Sequence, residues 1–162
     1  MTAEPASEGG QAASASAAGP SWPPGVQPIA HTADLGFDVE APSLELCFAR
    51  TAAALFRSFV PRRQPDGAEP ATVELDVHAD RLDELMVAWL EELLYLSEVR
   101  EIVLTGFVVR GVDAGRVTGQ ASGWKAGPGT QYSGPAIKGV TRHGLVVERK
   151  GAAWHARVFV DV

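Results

Sequence analysis

The chain has 162 residues, 46% of them hydrophobic, and a formal net charge of −6, so it is long enough for one domain with a real core and too short for two comfortable ones. The acidic balance argues against a protein that itself grips nucleic-acid phosphates, which takes a basic face, though not against a partner that does. The lone Cys47 excludes an internal disulfide or a cysteine metal cluster, and no apolar run spans a bilayer or follows a basic leader, so the expectation is a soluble cytoplasmic protein with no membrane contact.

Residues 1–26 are mostly Ala, Ser, Gly and Pro. They hold too little apolar surface to offset the entropy of ordering and are read as a disordered tail. Trp22 is the exception, a residue able to dock on the domain, although Pro23 and Pro24 beside it suit a stiff linker. The domain is expected over 27–162.

It opens on His31-Thr32-Ala33-Asp34-Leu35-Gly36, followed by Phe37-Asp38-Val39-Glu40, which alternates apolar with acidic and predicts a strand. An Asp at such a place is ordinarily a turn former or cap, and Gly36 gives the backbone a tight path. Ser43 is placed to cap a helix whose apolar face runs through Leu44, Cys47, Phe48, Thr51, Leu55, Phe56 and Phe59. Cys47 on that face reads as a core residue, not a catalytic thiol. A polar loop over 62–70 leads to the strictly alternating strand Thr72 to His78, with Glu74, Asp76 and His78 on its wet side.

Asp80 is expected to cap a second helix through Leu82, Leu85, Met86, Trp89, Leu90, Leu93, Leu94 and Leu96, with Asp83 completing a weak capping box. Strands are then predicted over 102–112 and 116–122, joined by the turn Asp113-Ala114-Gly115. A loop over 123–135 carries Trp124 and Lys125 and is long enough to be a functional candidate or lid. Strands over 137–148 and 154–162 close the chain. The last alternates cleanly, with Trp154, Ala156, Val158, Val160 and Val162 on one side and His155, Arg157, Phe159 and Asp161 on the other. Helices early and strands late point to an α+β class: a single domain with a largely antiparallel mixed sheet and two amphipathic helices.

Nucleophile and nucleotide motifs are missing. Gly119-Gln120-Ala121-Ser122-Gly123 has the wrong spacing for a nucleophile elbow, there is no Walker loop, and the four histidines lack the paired helical spacing of zinc sites. The carboxylates offer more. If the last strand meets the segment around Asp34, then Asp34, Asp161 and a main-chain or terminal oxygen of Val162 converge. Oxygen-only ligands suit a hard cation, Ca²⁺ or Mg²⁺. The plainer reading is two solvated carboxylates at strand ends.

Four segments occur in order: His31-Thr32-Ala33-Asp34-Leu35-Gly36; Leu85 to Tyr95; Ile137-Lys138-Gly139-Val140-Thr141-Arg142-His143; and Val158-Phe159-Val160-Asp161-Val162. Together they resemble the archease family over about Gln27 to Val162. The resemblance implies a small α+β domain and a divalent-cation site, calcium first, with Mg²⁺ or Mn²⁺ as alternatives. It assigns Asp34, Asp161 and Val162 to the metal, with His31 and Lys138 as further functional residues. Lys138 has an equal reading as a surface lysine. The resemblance also implies a non-catalytic accessory protein of an RtcB-type RNA ligase in tRNA splicing or RNA repair, which promotes ligase guanylylation and multiple turnover. A chaperone-like modulator of a tRNA methyltransferase is the alternative, and a free-standing metal hydrolase using His31 as base comes third. The chain departs from the family pattern at Gln120, which replaces a carboxylate, and at Arg142, which stands in place of a tyrosine. The usual histidine before the Ile137-Lys138 motif is also not evident; Gln131 or Tyr132 stands there.

Overall fold

The computed structural model describes residues 21–30, 34–61 and 63–162. Residues 1–20 of the expected 1–26 tail, the segment His31-Thr32-Ala33 and Arg62 lie outside the described residues.

The first strand, β1 (Val26–Ala30), is not foreseen by the sequence reading, because Val26-Gln27-Pro28-Ile29-Ala30 is short and holds a proline. It pairs antiparallel with β2 (Asp34–Ala41) as an edge strand, where a proline is tolerated. Trp22 docks, with its ring 5.6 Å from that of Phe37.

The first helix, α1 (Leu44–Arg57), starts as expected. The Ser43 hydroxyl accepts from the Leu46 N–H at 3.2 Å, satisfying one orphan donor of the first turn. Its buried face holds Cys47, Phe48, Thr51, Leu55 and Phe56. Strand β3 (Pro70–His78) buries Val73 and Leu75 and leaves Glu74, Asp76 and His78 in solvent.

The second helix, α2 (Leu82–Val99), corrects one expectation. Its N-cap is Arg81, not Asp80, and no side chain caps it. The Asp83 carboxylate instead accepts from the Glu84 N–H at 2.9 Å and pairs with the Arg81 guanidinium. That ion pair keeps Asp83 beside the positive end of the helix, and the helix starts one residue too late for Asp80 to reach it.

Strands β4 (Ile102–Val112) and β5 (Arg116–Lys125) form the expected hairpin, but β5 runs three residues further than the sequence predicts. Trp124 and Lys125 are therefore strand residues, not loop residues, and Trp124 is buried. The misleading signal is Gly123. A Cβ there would fall 1.7 Å from the Val103 carbonyl oxygen, so this glycine allows close strand approach and does not mark a turn. The loop proper is 126–138. Strand β6 (Gly139–Lys150) starts after Lys138, and β7 (Ala153–Asp161) follows a tight turn at Gly151.

The strands divide between two sheets, and every pairing is antiparallel. One sheet has the order β1-β2-β7-β6 and the other β3-β5-β4. The parallel strands β3 and β4 are separated by β5, and the helix α2 supplies the long connection that parallel strands require. Each helix packs on both sheets: α1 on β2 and β4, α2 on β6 and β3. The core fills the space they share, with Phe37, Val39, Val158 and Val160 from one sheet. Leu55 and Phe56 of α1, Trp89, Leu90 and Leu93 of α2, and Val103, Leu104 and Val117 of the other sheet complete it. Each such side chain contributes roughly 1.5–3 kcal/mol of burial. The expected α+β class is observed, with its strands split over two sheets. No helix among the described residues is long and apolar enough to cross a membrane.

Candidate functional site

The period-two alternation of β2 and β7 sends Leu35, Phe37, Val39 and Ala41 inward against Val160, Val158, Ala156 and Trp154. The opposite face then reads in register as Asp34 with Asp161, Gly36 with Phe159, Asp38 with Arg157 and Glu40 with His155. Thus the antiparallel pairing brings Asp34 and Asp161 directly opposite one another. Residues so placed have Cβ atoms about 4.5–5.5 Å apart, and like charges in that arrangement repel.

Among the described residues, no side chain on the neighbouring strands neutralises the pair. In the same row β6 contributes Gly139, which has no side chain. The next row along β7 is Phe159, so the first cation on that face, Arg157, is two rows away and already engaged. Its guanidinium grips Asp38 with two hydrogen bonds of 2.8 Å. Among the described residues neither Asp34 nor Asp161 has a basic group within 4 Å.

The remaining site residues fall as follows. Val162 follows the last residue of β7, outside the strand, and is half-buried. Lys138 is exposed, and its backbone N–H donates to the Asp161 carbonyl at 2.8 Å, which pins the end of β7 to the loop. Asp161 and Asp34 are thereby held on paired backbone, whereas the position of His31 lies outside the described residues. No group of three His, Cys, Asp or Glu side chains is assembled for a metal among the described residues. A cation held here would need main-chain oxygens, such as those of Val162, besides the two carboxylates. That all-oxygen set fits Ca²⁺ or Mg²⁺ and not a thiophilic metal.

A second polar cluster was not singled out from the sequence. Asp38 also lies 3.0 Å from His155 Nε2, and His155 is buried on the outer face of its own strand. The hydrogen bond from Arg157, followed by that from His155, holds the Asp38 carboxyl below the usual carboxylate range against the opposing effect of burial. The register supplies the missing signal: β2 shows acidic residues and β7 His155 and Arg157 at alternate positions, but only their alignment shows that they meet. This cluster ties β2 to β7 just below the Asp34–Asp161 row.

The comparisons agree with this architecture. The model of the archease protein family (MTH1598/TM1083) matches residues 27–162. Protein archease of Methanosarcina mazei is 33% identical over 138 residues, covering 83% of this chain and 93% of the relative. Protein archease of Pyrococcus furiosus is 30% identical over 136 residues, covering 82% and 94%. The solution structure of Methanobacterium thermoautotrophicum protein 1598 aligns with a TM-score of 0.67 at 27% identity, over 85% of this chain and 99% of that one. A Thermotoga maritima crystal structure, described as an archease and possible chaperone, shares the fold with a TM-score of 0.55 at 18% identity, over 84% and 96%. These define a small α+β domain of two antiparallel sheets joined by two helices. The chain belongs to the archease family.

Proposed function

We propose that this chain is a non-catalytic accessory protein that activates an RtcB-type, GTP-dependent RNA ligase through a divalent-cation site on Asp34, Asp161 and the main-chain oxygens of Val162. The observation that carries the reading is the facing pair Asp34 and Asp161, set on paired backbone with no neutralising side chain beside it among the described residues. Two carboxylates so placed repel until a cation binds, so the site is built for positive charge. A bound Ca²⁺, or Mg²⁺ or Mn²⁺ in its place, supplies concentrated positive charge at the edge of the sheet. The chain's own residues orient it: Asp161 through the Lys138 N–H, Asp34 through the β2–β7 ladder. Such a site presented to a ligase would help place a nucleotide or metal during guanylylation. The net charge of −6 fits a protein partner and not direct RNA binding.

The test is ligase turnover and ligase–guanylate formation with and without this protein and its Asp34→Ala and Asp161→Ala variants. Stimulation by the native chain and not by the variants supports the reading. Equal stimulation by the variants overturns the metal site, and no stimulation overturns the ligase role. A chaperone-like role toward a tRNA methyltransferase is the second reading. It is favoured by exposed Tyr95, Val99 and Tyr132, and it predicts suppression of aggregation that survives Asp34→Ala.

A further inference from the structure

A separate feature lies where α2 ends and the loop over 126–138 crosses it. Between them is a groove of about 540 Å³ walled by Phe59, Leu94, Tyr132 and Ile137, with Glu98 and Glu101 among its lining residues. Both walls are fixed. The Ser133 N–H donates to the Phe59 carbonyl at 2.8 Å and the Ala126 N–H to the Glu101 carbonyl at 2.7 Å. Gly134 has φ +88° and passes so close to α1 that a Cβ would fall 2.3 Å from the Ser58 carbonyl oxygen. The loop cannot drift off the helix without losing these contacts.

The electrostatics of this groove are one-sided. Glu98 lies in the last turn of α2, which holds no basic residue, and Glu101 lies just beyond its C-cap Arg100. The helix dipole places partial negative charge there, so both carboxylates sit where a cation would be favoured. Neither is within 4 Å of a basic group among the described residues, Arg100 included. The negative charge reaches the aromatic wall: burial first, and then Glu101, raise the Tyr132 hydroxyl above its ordinary range. The Tyr132 and Phe59 rings lie 6.3 Å apart. Next in sequence to the lining residues Leu94 and Glu98 of α2, Tyr95 and Val99 are 58% and 59% exposed.

We infer that this groove docks an arginine side chain of a partner protein, with the guanidinium between Glu98 and Glu101, its plane on Tyr132, and the partner's flanking apolar residues on Tyr95 and Val99. Charge complementarity selects a basic occupant, and the aromatic wall selects the planar guanidinium over the compact ammonium of lysine. Two carboxylates accept the fork of guanidinium donors. The groove uses none of Asp34, Asp161 or Val162, so it stands or falls apart from the cation site.

The test is a two-dimensional NMR titration of the full chain with the synthetic peptide acetyl-Leu-Arg-Leu-amide and its citrulline counterpart, which keeps the shape and loses the charge. The arginine peptide should shift the resonances of Glu98, Glu101 and Tyr132, with the citrulline peptide about tenfold weaker. Glu98→Gln with Glu101→Gln should remove that preference. Both positions are exposed, and unchanged spectral dispersion verifies the fold. Tyr132→Leu should weaken the arginine peptide while leaving both carboxylates in place. Equal affinity for the two peptides, undiminished binding to the double variant, or no shift at the groove at millimolar peptide would each overturn the proposal.

Discussion

Asp34 and Asp161 stand directly opposite one another at the end of the β2–β7 ladder, with Gly139 next in the row on β6 and no cation beside them among the described residues. In a sheet this is an unfavourable arrangement, because like charges at facing positions destabilise by roughly 0.2–1 kcal/mol. Asp34→Asn and Asp161→Asn should therefore each stabilise the protein slightly in excess chelator. With calcium added the order should reverse: a ligand at a hundred times its dissociation constant adds about 2.7 kcal/mol to the protein that binds it and nothing to one that does not. Thermal unfolding of the three proteins in chelator and in calcium checks both halves. A native protein whose melting temperature ignores calcium would remove the cation site.

Much of this was legible in the sequence, because alternation and capping are local. The Ser43 cap, the buried faces of both helices and the inward face of β7 all follow from spacing alone. Asp34 and Asp161 could be singled out, but their meeting was only conditional, since register depends on contacts far apart in the chain. The same non-locality hid the Asp38–His155–Arg157 cluster and the division into two sheets. Local rules misled at Gly123, where the glycine serves a neighbouring strand, and at Asp80, which lies one residue before the N-cap position that Arg81 takes. Of the Glu98–Glu101 groove, only the length of the loop over 123–135 gave a sequence signal; that this loop returns from β5 to wall the end of α2 depends on contacts far apart in the chain.

Asp38 is held below the ordinary carboxylate range chiefly by its bond from Arg157, so it contributes stability that is present above its unfolded pKa and is lost as pH falls through its lower folded value. The loss belongs below about pH 4, where unfolded aspartates protonate. Asp38→Asn should cost about 1–3 kcal/mol at neutral pH by leaving the His155 and Arg157 donors poorly matched. It should also flatten the acid limb of the stability curve. Urea unfolding of both proteins between pH 3 and pH 7, a range chosen to bracket the carboxylates, reads the difference. A constant gap across that range would mean that Asp38 matters only for packing.

Cys47 is fully buried on α1, and burial pushes its thiol up to about 11. The reactive thiolate is scarce at neutral pH and cannot be reached. The native protein should resist a thiol-specific disulfide reagent at pH 8, and the same reagent should titrate one thiol per chain in urea. Rapid modification of the folded protein would show that α1 opens locally, and hydrogen exchange along α1 would then be expected to match.

Phe159 lies over two glycines. Gly36 faces it across the ladder, where a Cβ would fall 2.6 Å from its ring, and Gly144 approaches from β6, where a Cβ would fall 2.9 Å from the other edge. The β6–β7 register shifts between Thr141 and Val146, with Gly144, at φ +71°, inside the shifted segment. A ring bounded on both sides cannot swing away, so Gly36→Ala should cost about 1–3 kcal/mol, as overpacking does. The double variant Gly36→Ala with Phe159→Leu should recover part of that loss, giving a coupling energy of about 0.5–3 kcal/mol in a double-mutant cycle. The same ring separates the Asp34–Asp161 row from Arg157. Gly36→Ala should thus also reduce the calcium-induced rise in melting temperature, although it changes no charge. Additive single effects would show that the ring does yield, and that the glycine serves the backbone path alone.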